Sequence, residues 1–348
     1  MMKKTIAIIQ GDPAGIGPEL LLKLLSDDDC RARANILALG DPEVFAASQQ
    51  RSGITIANLR RITRIEDADF STGAIHHLDL TFAGACDVPL AQVSAAGGAS
   101  SIGGLQRALE LARDGVADAI VFLPFNKESM HLGGNQFADE LGYARQFFQL
   151  KTRPSEFNVA SGMWNGRVTS HVAMRDVPEL LTETRICESI RLADKTLKMA
   201  GYARPRIVVA AYNPHAGDGG LMGREEIEII APAVAKMKRE QIAVSGPLPA
   251  DTLWLKVRDG EYDAAVTMYH DQGQIAIKLL GFDRGVSVLA GLPVPITTPA
   301  HGTAFDIAGH NKANPRPTLN AFTMAVNMAE RRDLSDDLAG ATKEGKPQ

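Results

Sequence analysis

Three histidines share one position relative to the predicted secondary structure. His171, His215 and His270 each follow an apolar run that reads as a buried strand. Any one of them alone would be taken for a satisfied polar side chain. Because the carboxyl ends of parallel strands meet at one edge of a sheet, the three imidazoles can converge there. Three imidazoles with an open position suit a catalytic divalent metal; zinc fits best, and cobalt, manganese or magnesium are alternatives.

Two aspartates accompany these histidines. Asp271 directly follows His270, and Asp251 lies in the segment GPLPADT at residues 246–252. Carboxylates beside metal-bound imidazoles orient the rings or the substrate, so both aspartates are candidates for that role. The alternative is that each of them caps a turn.

A further polar pair follows the apolar strand predicted at residues 119–123. Pro124 and Phe125 lead from this strand to Asn126 and Lys127. A polar pair at a strand end is a candidate for contact with a ligand. The alternative is a loop with a solvated lysine, which is the usual state of a single lysine.

A glycine-rich segment near the N-terminus resembles a phosphate cradle. The strand predicted at residues 5–9 runs into GDPAGIGPE, and a helix follows. Free N–H groups at a helix N-terminus attract anions, so Gly11 and Asp12 are candidates for contact with a cofactor. The spacing matches neither a dinucleotide fingerprint nor a P-loop. The alternative is a strained turn with Pro18 at a helix start.

The elements that position these residues alternate between apolar strands and helices. This alternation predicts an α/β fold with a mostly parallel sheet and helices on its faces. A length of 348 residues suggests two lobes. Further strands are expected at 36–39, 157–160, 167–171, 207–211 and 264–268, and the segments 157–160 and 167–171 look like a hairpin.

The composition is that of a soluble globular protein, with 45% hydrophobic and 22% charged residues. A net charge of −4 without a charged tail argues against a nucleic-acid partner. No apolar run reaches membrane-spanning length. Cys30, Cys86 and Cys187 are odd in number and widely spaced, which fits a reducing compartment. We therefore expect a cytoplasmic protein that contacts neither nucleic acid nor membrane.

Six motifs together resemble one enzyme family. In chain order they are GDPAGIGPE, Asn126-Lys127, NPHAGDGGLMG, GPLPADT, YHDQG and HGTAFDIAG. They resemble the 4-hydroxythreonine-4-phosphate dehydrogenase family and span nearly the whole chain. The segment HGTAFDIAGHNKANP is also similar to the adenosine-binding loop of isopropylmalate and isocitrate dehydrogenases.

This resemblance implies a homodimer with a two-domain fold and an active site in the interdomain cleft at the dimer interface. Residues 1–130 with 275–348 would form the nucleotide-binding-type domain, and residues 131–274 the metal, substrate and dimerisation domain. The metal would be held by His171, His215 and His270, with ligands shared between subunits. The implied activity is NAD-dependent oxidation of a secondary alcohol beside a carboxyl-bearing carbon of a small molecule, followed by loss of CO2.

The resemblance also implies roles for individual residues. Lys127, Asp251 and Asp271 are the expected catalytic residues. Asp306 is placed at the adenosine ribose, where a carboxylate favours NAD over NADP. The expected cofactor-binding residues are Gly11, Asp12, His301, Gly302, Thr303, Ala304, Asp306 and Asn314.

Departures from the family pattern concern the substrate. Gly142-Tyr143-Ala144 stands where the family has Gly-His-Thr. Of three expected phosphate anchors Lys278 is retained, whereas Ser287 and Ile296 replace an asparagine and an arginine. Losing an amide and a bidentate guanidinium removes strong phosphate contacts.

We therefore expect oxidative decarboxylation of an aromatic cis-dihydrodiol carboxylate, of the terephthalate dihydrodiol type, to a catechol. The alternative is 4-hydroxythreonine 4-phosphate or a related phosphorylated hydroxy acid, if Arg284 or Arg145 enters the pocket. A further alternative is a metal- or nucleotide-binding protein without catalysis. The expected substrate-binding residues are Asn126, Tyr143, Lys278, Ser287 and Ile296.

Overall fold

The computed structural model describes the backbone of residues 3–341 and the side chains of residues 3–281 and 283–332. The chain forms two compact units. Unit 1 comprises the residues up to Thr152 and those from Leu292 onward, and unit 2 is Arg153–Gly291.

Both unit boundaries lie later in the chain than the expected positions 130/131 and 274/275. The helix Lys127–Leu132 packs on the helix Ala95–Arg113, which belongs to unit 1. The helix His270–Gly281 packs on strands of unit 2, so a boundary at 274/275 would cut it in half. Packing of these helices therefore sets the boundaries.

Unit 1 contains a six-stranded parallel sheet. Numbered along the whole chain, its strands are β1 (Thr5–Ile9), β2 (Asn35–Gly40), β3 (Leu59–Ile62), β4 (Ile75–Asp79), β5 (Ala119–Phe122) and β12 (Ile296–Pro299). Their order is β3-β4-β2-β1-β5-β12, and each neighbouring pair is parallel. Every residue of β1 is buried, as expected for a strand covered by helices on both faces.

Unit 1 has seven α-helices within the described residues. They are α1 (Gly17–Leu25), α2 (Asp28–Arg33), α3 (Pro42–Ser52), α4 (Ala95–Arg113), α5 (Lys127–Leu132), α6 (Glu140–Phe147) and α12 (Arg316–Ala341). Five of them, α2 to α6, begin at a side-chain cap. The Asp41 carboxylate accepts from the backbone N–H groups of Glu43 and Val44, and Pro42 occupies the first turn of α3. Gly98 of α4 lets α5 approach closely, because a Cβ there would lie 1.7 Å from the carbonyl oxygen of Ser129.

Unit 2 contains a six-stranded mixed sheet. Its strands are β6 (Ser155–Ala160), β7 (Met163–Arg167), β8 (Ile207–Ala210), β9 (Val244–Leu248), β10 (Ala264–Thr267) and β11 (Val286–Ala290). Their order is β11-β6-β7-β10-β8-β9. The strands β7, β10, β8 and β9 pair in parallel, whereas β6 is antiparallel to both β7 and β11.

The helices of unit 2 are α7 (Val177–Leu180), α8 (Glu183–Ala200), α9 (Ala231–Arg239), α10 (Ala250–Arg258) and α11 (His270–Gly281). A π-helical turn, Glu226–Ile230, leads into α9. Met163, Val208, Leu253 and Trp254 belong to one buried apolar cluster of this unit. In residues 3–341 no helix combines the length and the apolar character needed to cross a bilayer.

The predicted hairpin is present, but its second strand lies earlier than expected. Cross-strand pairing of Asn158 with Asn165 sets β7 at Met163–Arg167 instead of residues 167–171. His171 therefore lies four residues beyond the strand, in a loop whose path depends on β10.

Candidate active site

His270 is the first residue of α11, just beyond the carboxyl end of β10. Its Nδ1 lies 2.7 Å from Oδ1 of Asp271. A proton on Nδ1 is donated to this carboxylate, which leaves the lone pair of Nε2 available to a ligand. About 36% of the His270 side chain is exposed, so the ring is accessible.

His171 is placed beside His270 by contacts between the loop after β7 and the end of β10. The backbone N–H of Thr169 donates to the carbonyl oxygen of Met268 at 3.1 Å, and Thr169 Oγ1 donates to the same oxygen at 2.7 Å. The ring centroids of His171 and His270 are 5.8 Å apart, with an interplanar angle of 43°. The predicted convergence of these two imidazoles is therefore present.

Gln272 joins the ends of two neighbouring strands. Its Oε1 accepts from the backbone N–H of Met268, and its Nε2 donates to the carbonyl oxygen of Ala211, both at 2.7 Å. Met268 directly follows β10, and Ala211 directly follows β8. The sequence interpretation assigned Gln272 no role, although its place in the YHDQG motif, two residues after His270, was a usable signal.

His215 lies in a left-handed turn after β8. Residues 215–219 have φ values of +53°, +57°, +78°, +43° and +66°. Three of these five residues are not glycine, and such backbone persists only where the surroundings enforce it. Glu226 does so: Oε1 accepts from the backbone N–H groups of Tyr212 and Asn213 at 2.8 Å, and Oε2 accepts from Asn213 Nδ2 at 3.0 Å.

The charge of Glu226 is maintained despite its burial. Burial would raise the pKa of this carboxyl, but the hydrogen bonds from Asn213 and Tyr212 outweigh burial and lower it. An ionised carboxylate therefore holds the turn that carries His215.

The three predicted metal ligands do not converge within one chain. Across the described side chains, no three His, Cys, Asp or Glu residues come close enough together to hold a metal ion. His171 and His270 do pair, and the carboxylate-bound ring of His270 has the donor chemistry of a metal ligand. These two imidazoles fit a divalent metal whose remaining ligands come from other molecules. The role of His215 as a third metal ligand stays a prediction.

Ser287 belongs to a buried polar cluster of unit 2. Its Oγ donates to Glu156 Oε1 at 2.7 Å and accepts from Asn158 Nδ2 at 2.9 Å. Arg167 Nη2 lies 3.2 Å from Glu156 Oε2. Burial would raise the pKa of Glu156, but Arg167 and the hydrogen bonds from Ser287 and Asn158 outweigh burial and lower it. Ser287 therefore donates its proton to a carboxylate, which leaves it no proton for a substrate phosphate.

Two other predicted residues of unit 2 have exposed side chains. Asp251 lies in the first turn of α10, and Lys278 lies in α11, two helical turns after His270. Exposure is compatible with contact to a ligand. The roles of Asp251, Asp271 and Lys278 stay predictions.

In unit 1, Asn126 caps α5, because its Oδ1 accepts from the backbone N–H of Ser129 at 2.8 Å. Lys127 is exposed at the first position of that helix. Tyr143 lies on α6, and its hydroxyl donates to Gln106 Oε1 at 3.4 Å. Asn126 thus has a structural task, while the roles of Lys127 and Tyr143 stay predictions.

The glycine-rich segment is part of the interior of unit 1. Asp12 is fully buried, its Oδ1 accepts from the backbone N–H of Ala14 at 2.9 Å, and burial raises its pKa. Gly11 has φ +85° and packs against Leu123 and Pro124. Both residues are buried in this structure, and their contact with a cofactor stays a prediction.

Ile296 is also buried. It is 0% exposed and pairs with Ile120 between β12 and β5. The side chain is packed within unit 1 in this structure, and the contact of Ile296 with a substrate stays a prediction.

Thr303 anchors the loop that follows β12. Its carbonyl oxygen accepts from the backbone N–H of Ile16 at 3.0 Å. Thr303 itself is buried, and Ala304 has φ +44° at the start of the 3-10 turn Phe305–Ile307. Burial lowers the pKa of His301, although a hydrogen bond with the Gly302 carbonyl opposes this effect.

The remaining residues of this loop are accessible. Gly302, Asp306 and Asn314 have exposed positions. Their contact with a dinucleotide stays a prediction, as does that of His301, Thr303 and Ala304.

Known relatives extend over nearly the whole chain. A protein named putative 4-hydroxythreonine-4-phosphate dehydrogenase 2, from Pseudomonas aeruginosa, is 47% identical over 333 residues, which are 94% of this chain and 97% of that protein. A D-threonate 4-phosphate dehydrogenase from Salmonella typhimurium is 38% identical over 334 residues, which are 94% of this chain and 100% of that protein.

Solved structures agree with the fold. A 4-hydroxythreonine-4-phosphate dehydrogenase from Klebsiella pneumoniae has a TM-score of 0.81 at 36% identity, covering 94% of this chain and 99% of its own. A terephthalate 1,2-cis-dihydrodiol dehydrogenase from Burkholderia xenovorans has a TM-score of 0.66 at 28% identity, covering 93% and 98%. The predicted mostly parallel α/β fold is confirmed.

These comparisons support a dehydrogenase and favour the alternative substrate class. The relatives with higher identity are named for phosphorylated hydroxy acids, whereas the dihydrodiol enzyme is more distant. The expectation of a dihydrodiol substrate, which rested partly on Ile296, is not supported by the relatives with higher identity.

The comparison with protein families agrees with the motifs. A family model described as pyridoxal phosphate biosynthetic protein PdxA matches residues 32–325. Together with relatives of 47% and 38% identity over 94% of the chain, this match shows that the chain belongs to the PdxA family.

Proposed function

We propose that this protein oxidises the secondary alcohol of a small phosphorylated hydroxy acid, with a nicotinamide dinucleotide as hydride acceptor and a divalent metal as Lewis acid. The observation that carries the proposal is the pair of imidazoles, His171 and His270, at neighbouring strand ends. The substrate class comes from the relatives, whose names specify 4-hydroxythreonine 4-phosphate and D-threonate 4-phosphate.

The site residues fit a divalent metal. The Asp271 carboxylate fixes the His270 tautomer that leaves Nε2 free, and Gln272 fixes the strand end from which His270 projects. His171 and His270 would hold the metal. When bound, it would lower the pKa of the substrate hydroxyl and stabilise negative charge on that oxygen.

Lys278 is the residue we assign to the substrate phosphate. Its side chain is exposed on α11, whereas Ser287 is bound to Glu156 and Ile296 is buried. An ammonium group pairs with phosphate as a point charge. Of the three positions expected to anchor phosphate, Lys278 is the one with an exposed side chain, which supports this assignment.

Exposed apolar residues support a homodimer that shares the metal site. Ile275 and Leu279 lie one turn apart on α11 and are 59% and 82% exposed. Leu221 and Met222, which follow the turn of His215, are 85% and 47% exposed. Apolar side chains so exposed next to a candidate site suit an interface with a second copy of the chain. That copy would supply His215.

Substrate competition tests the proposal. We expect kcat/KM to be higher for D-threonate 4-phosphate or 4-hydroxythreonine 4-phosphate than for an aromatic cis-dihydrodiol carboxylate, followed through dihydronicotinamide absorbance with added metal. A Lys278→Met variant should lose roughly ten- to a hundredfold in kcat/KM on the phosphorylated substrate, because a charge-assisted contact is lost. The exposed Lys238 on α9 offers a matched control, and Lys238→Met should behave as the wild type. A higher kcat/KM for the dihydrodiol would refute the substrate class.

Two finer features belong to the same proposal. The exposed Asp306 would accept hydrogen bonds from the adenosine ribose, and it favours NAD over NADP. Release of CO2 would follow from a β-keto acid product. Measuring kcat/KM with both dinucleotides and CO2 release per turnover tests each feature.

A further inference from the structure

Two charged residues of unit 2 lie at the sheet edge that carries the paired histidines, and the proposed reaction does not use them. Because β6 is antiparallel to β7 and Asn158 pairs with Asn165, Glu156 near the start of β6 lies opposite Arg167 at the end of β7. Arg167 precedes His171 by four residues. Glu156 therefore belongs to the same edge of the sheet as the two imidazoles.

His171 lies close enough to Glu156 to act on its charge. Burial raises the pKa of the Glu156 carboxyl, whereas Arg167, the hydrogen bonds from Ser287 and Asn158 and, least of these, His171 lower the pKa. Because interactions between charges weaken with distance, this contribution indicates that the His171 ring is near the carboxylate.

The Glu156 carboxylate is held in place, and one of its acceptor positions is left. Each carboxylate oxygen can accept two hydrogen bonds. Oε1 accepts from Ser287 Oγ at 2.7 Å and from Asn158 Nδ2 at 2.9 Å. Oε2 accepts from Arg167 Nη2 at 3.2 Å and from no other group among the described residues. Since 27% of the Glu156 side chain is exposed and 0% of the Arg167 side chain, the carboxylate is the end of this ion pair that a ligand can reach.

Stability gives no reason for this ion pair. Nε and Nη1 of Arg167 are buried and have no hydrogen-bond partner among the described residues. Unpaired buried N–H groups are unfavourable, and a buried ion pair contributes little net stability compared with apolar side chains of similar size. What the arrangement does provide is an ionised acceptor that is already oriented beside the histidines, and such preorganisation strengthens the binding of a donor group.

The charge of Glu156 limits which part of a substrate it can contact. A carboxylate repels the phosphate and carboxylate ends of a phosphorylated hydroxy acid. The two compounds for which the relatives are named differ in one donor group. On the carbon next to its carboxylate, 4-hydroxythreonine 4-phosphate bears an ammonium group, whereas D-threonate 4-phosphate bears a hydroxyl. An ionised acceptor binds an ammonium group more strongly than a hydroxyl.

We propose that Glu156 is a specificity-determining residue that pairs with an ammonium group of the substrate, so that the site prefers 4-hydroxythreonine 4-phosphate to D-threonate 4-phosphate. This inference rests on the proposed oxidation of a phosphorylated hydroxy acid, and it adds the group by which the site distinguishes two such acids.

Binding of the two compounds, measured by calorimetry with added cobalt and without dinucleotide, tests the inference. The wild type should bind the ammonium compound about tenfold more tightly than the hydroxyl compound, because a charge-assisted contact replaces a neutral one. Glu156→Gln should bind the two within about twofold of each other, since its amide is neutral. Glu261→Gln is the matched control, because Glu261 forms an exposed ion pair with Lys256, and it should keep the wild-type ratio.

Three results would overturn the proposal: equal Kd values of the wild type for the two compounds, the wild-type ratio in Glu156→Gln, or binding of neither compound. The ratio is taken within each variant, so a general loss of stability does not imitate the expected result. If Glu156→Gln does not fold, Glu156→Asp takes its place, because it keeps the charge beside Arg167. Withdrawing the carboxylate by one methylene should lower the ratio, and an unchanged ratio would contradict the role of Glu156.

Failure of the proposed reaction gives a different result. Since no hydride acceptor is present, the Kd ratio does not depend on turnover. If the compounds bind with the expected ratio and NAD then yields no dihydronicotinamide absorbance, the reaction is refuted and the preference for the ammonium group stands.

Discussion

Replacing Glu226 by glutamine perturbs the left-handed turn that carries His215. In the wild type one carboxylate accepts two backbone N–H groups at 2.8 Å and the Asn213 amide at 3.0 Å. In the variant, the glutamine carbonyl oxygen can still accept from the two backbone N–H groups as a neutral acceptor. Its NH2 group then faces Asn213 Nδ2, and because both groups are donors, that hydrogen bond is lost. Hydrogen bonds to charged groups contribute about 1.5–3 kcal/mol to stability, and those between neutral groups contribute about 0.5–1.5 kcal/mol. The free energy of unfolding of the variant should therefore be lower by about 2–4 kcal/mol.

Part of this loss should appear as local relaxation, because the turn stores backbone strain at His215, Ala216 and Asp218. We therefore expect a lower urea midpoint for Glu226→Gln and a ten- to hundredfold weaker cobalt affinity, as for a disturbed ligand support. Glu228→Gln is the matched control, since Glu228 forms an exposed ion pair with Arg224 that contributes about 0–1 kcal/mol. If both variants unfold at the same urea concentration, the proposed support of the turn is refuted.

Three further predictions concern packing, pH and ligand orientation. Gly98→Ala should destabilise unit 1 by about 1–3 kcal/mol in urea unfolding, because its Cβ would lie 1.7 Å from the carbonyl oxygen of Ser129. Glu156→Gln should lower the free energy of unfolding at about pH 6 and much less at about pH 3.5. Because the pKa of Glu156 is lower in the folded than in the unfolded state, its charge stabilises the fold above the unfolded pKa. This stabilisation is lost as the pH falls through the folded pKa. Asp271→Asn should weaken cobalt binding ten- to a hundredfold in calorimetry, since the His270 tautomer loses its carboxylate partner.

Matched control variants test the packing and ligand predictions, and the comparison between two pH values tests the prediction for Glu156. Gly302→Ala, at a glycine with open space around its Cβ position, should leave stability unchanged, and a similar loss in both glycine variants would refute the packing argument. An equal cost of Glu156→Gln at both pH values would refute the charged state of Glu156. Asp259→Asn, at an exposed aspartate beyond α10, should retain the wild-type affinity for cobalt, and equal affinities in both aspartate variants would refute the orienting role.

The sequence was sufficient for the most apolar strands and for the order of the motifs, but not for β3, β4, β9, β11 and β12. Apolar runs such as Thr5–Ile9 are long and sharply bounded, and a fully buried parallel strand has that signature. Histidines at the ends of such strands could therefore be placed near one sheet edge, and His171 and His270 do lie together. What decides their contact is the pairing of Thr169 with Met268, which is not encoded locally.

Burial was the quantity that sequence patterns could not supply. Gly11 and Asp12 have the composition of a ligand loop, yet tertiary packing turns them inward. Ile296 occupies a position that a family comparison associates with a substrate contact, yet the residue belongs to the interior of a sheet. The residue type determines which interactions a side chain can form. Packing of the surrounding helices and strands determines whether that side chain is accessible to a ligand.

The hydrogen bond from Met268 to Gln272 has a consequence for measurements of amide exchange. The Met268 N–H donates to a side-chain oxygen, whose companion nitrogen donates to Ala211. Exchange of this proton with solvent water requires rotation of the Gln272 side chain, and that rotation also breaks the bond to the Ala211 carbonyl. The exchange rate of this single amide therefore reports how often the glutamine bridge between the two strand ends opens, and it can be followed in the intact enzyme as substrates and metals are added.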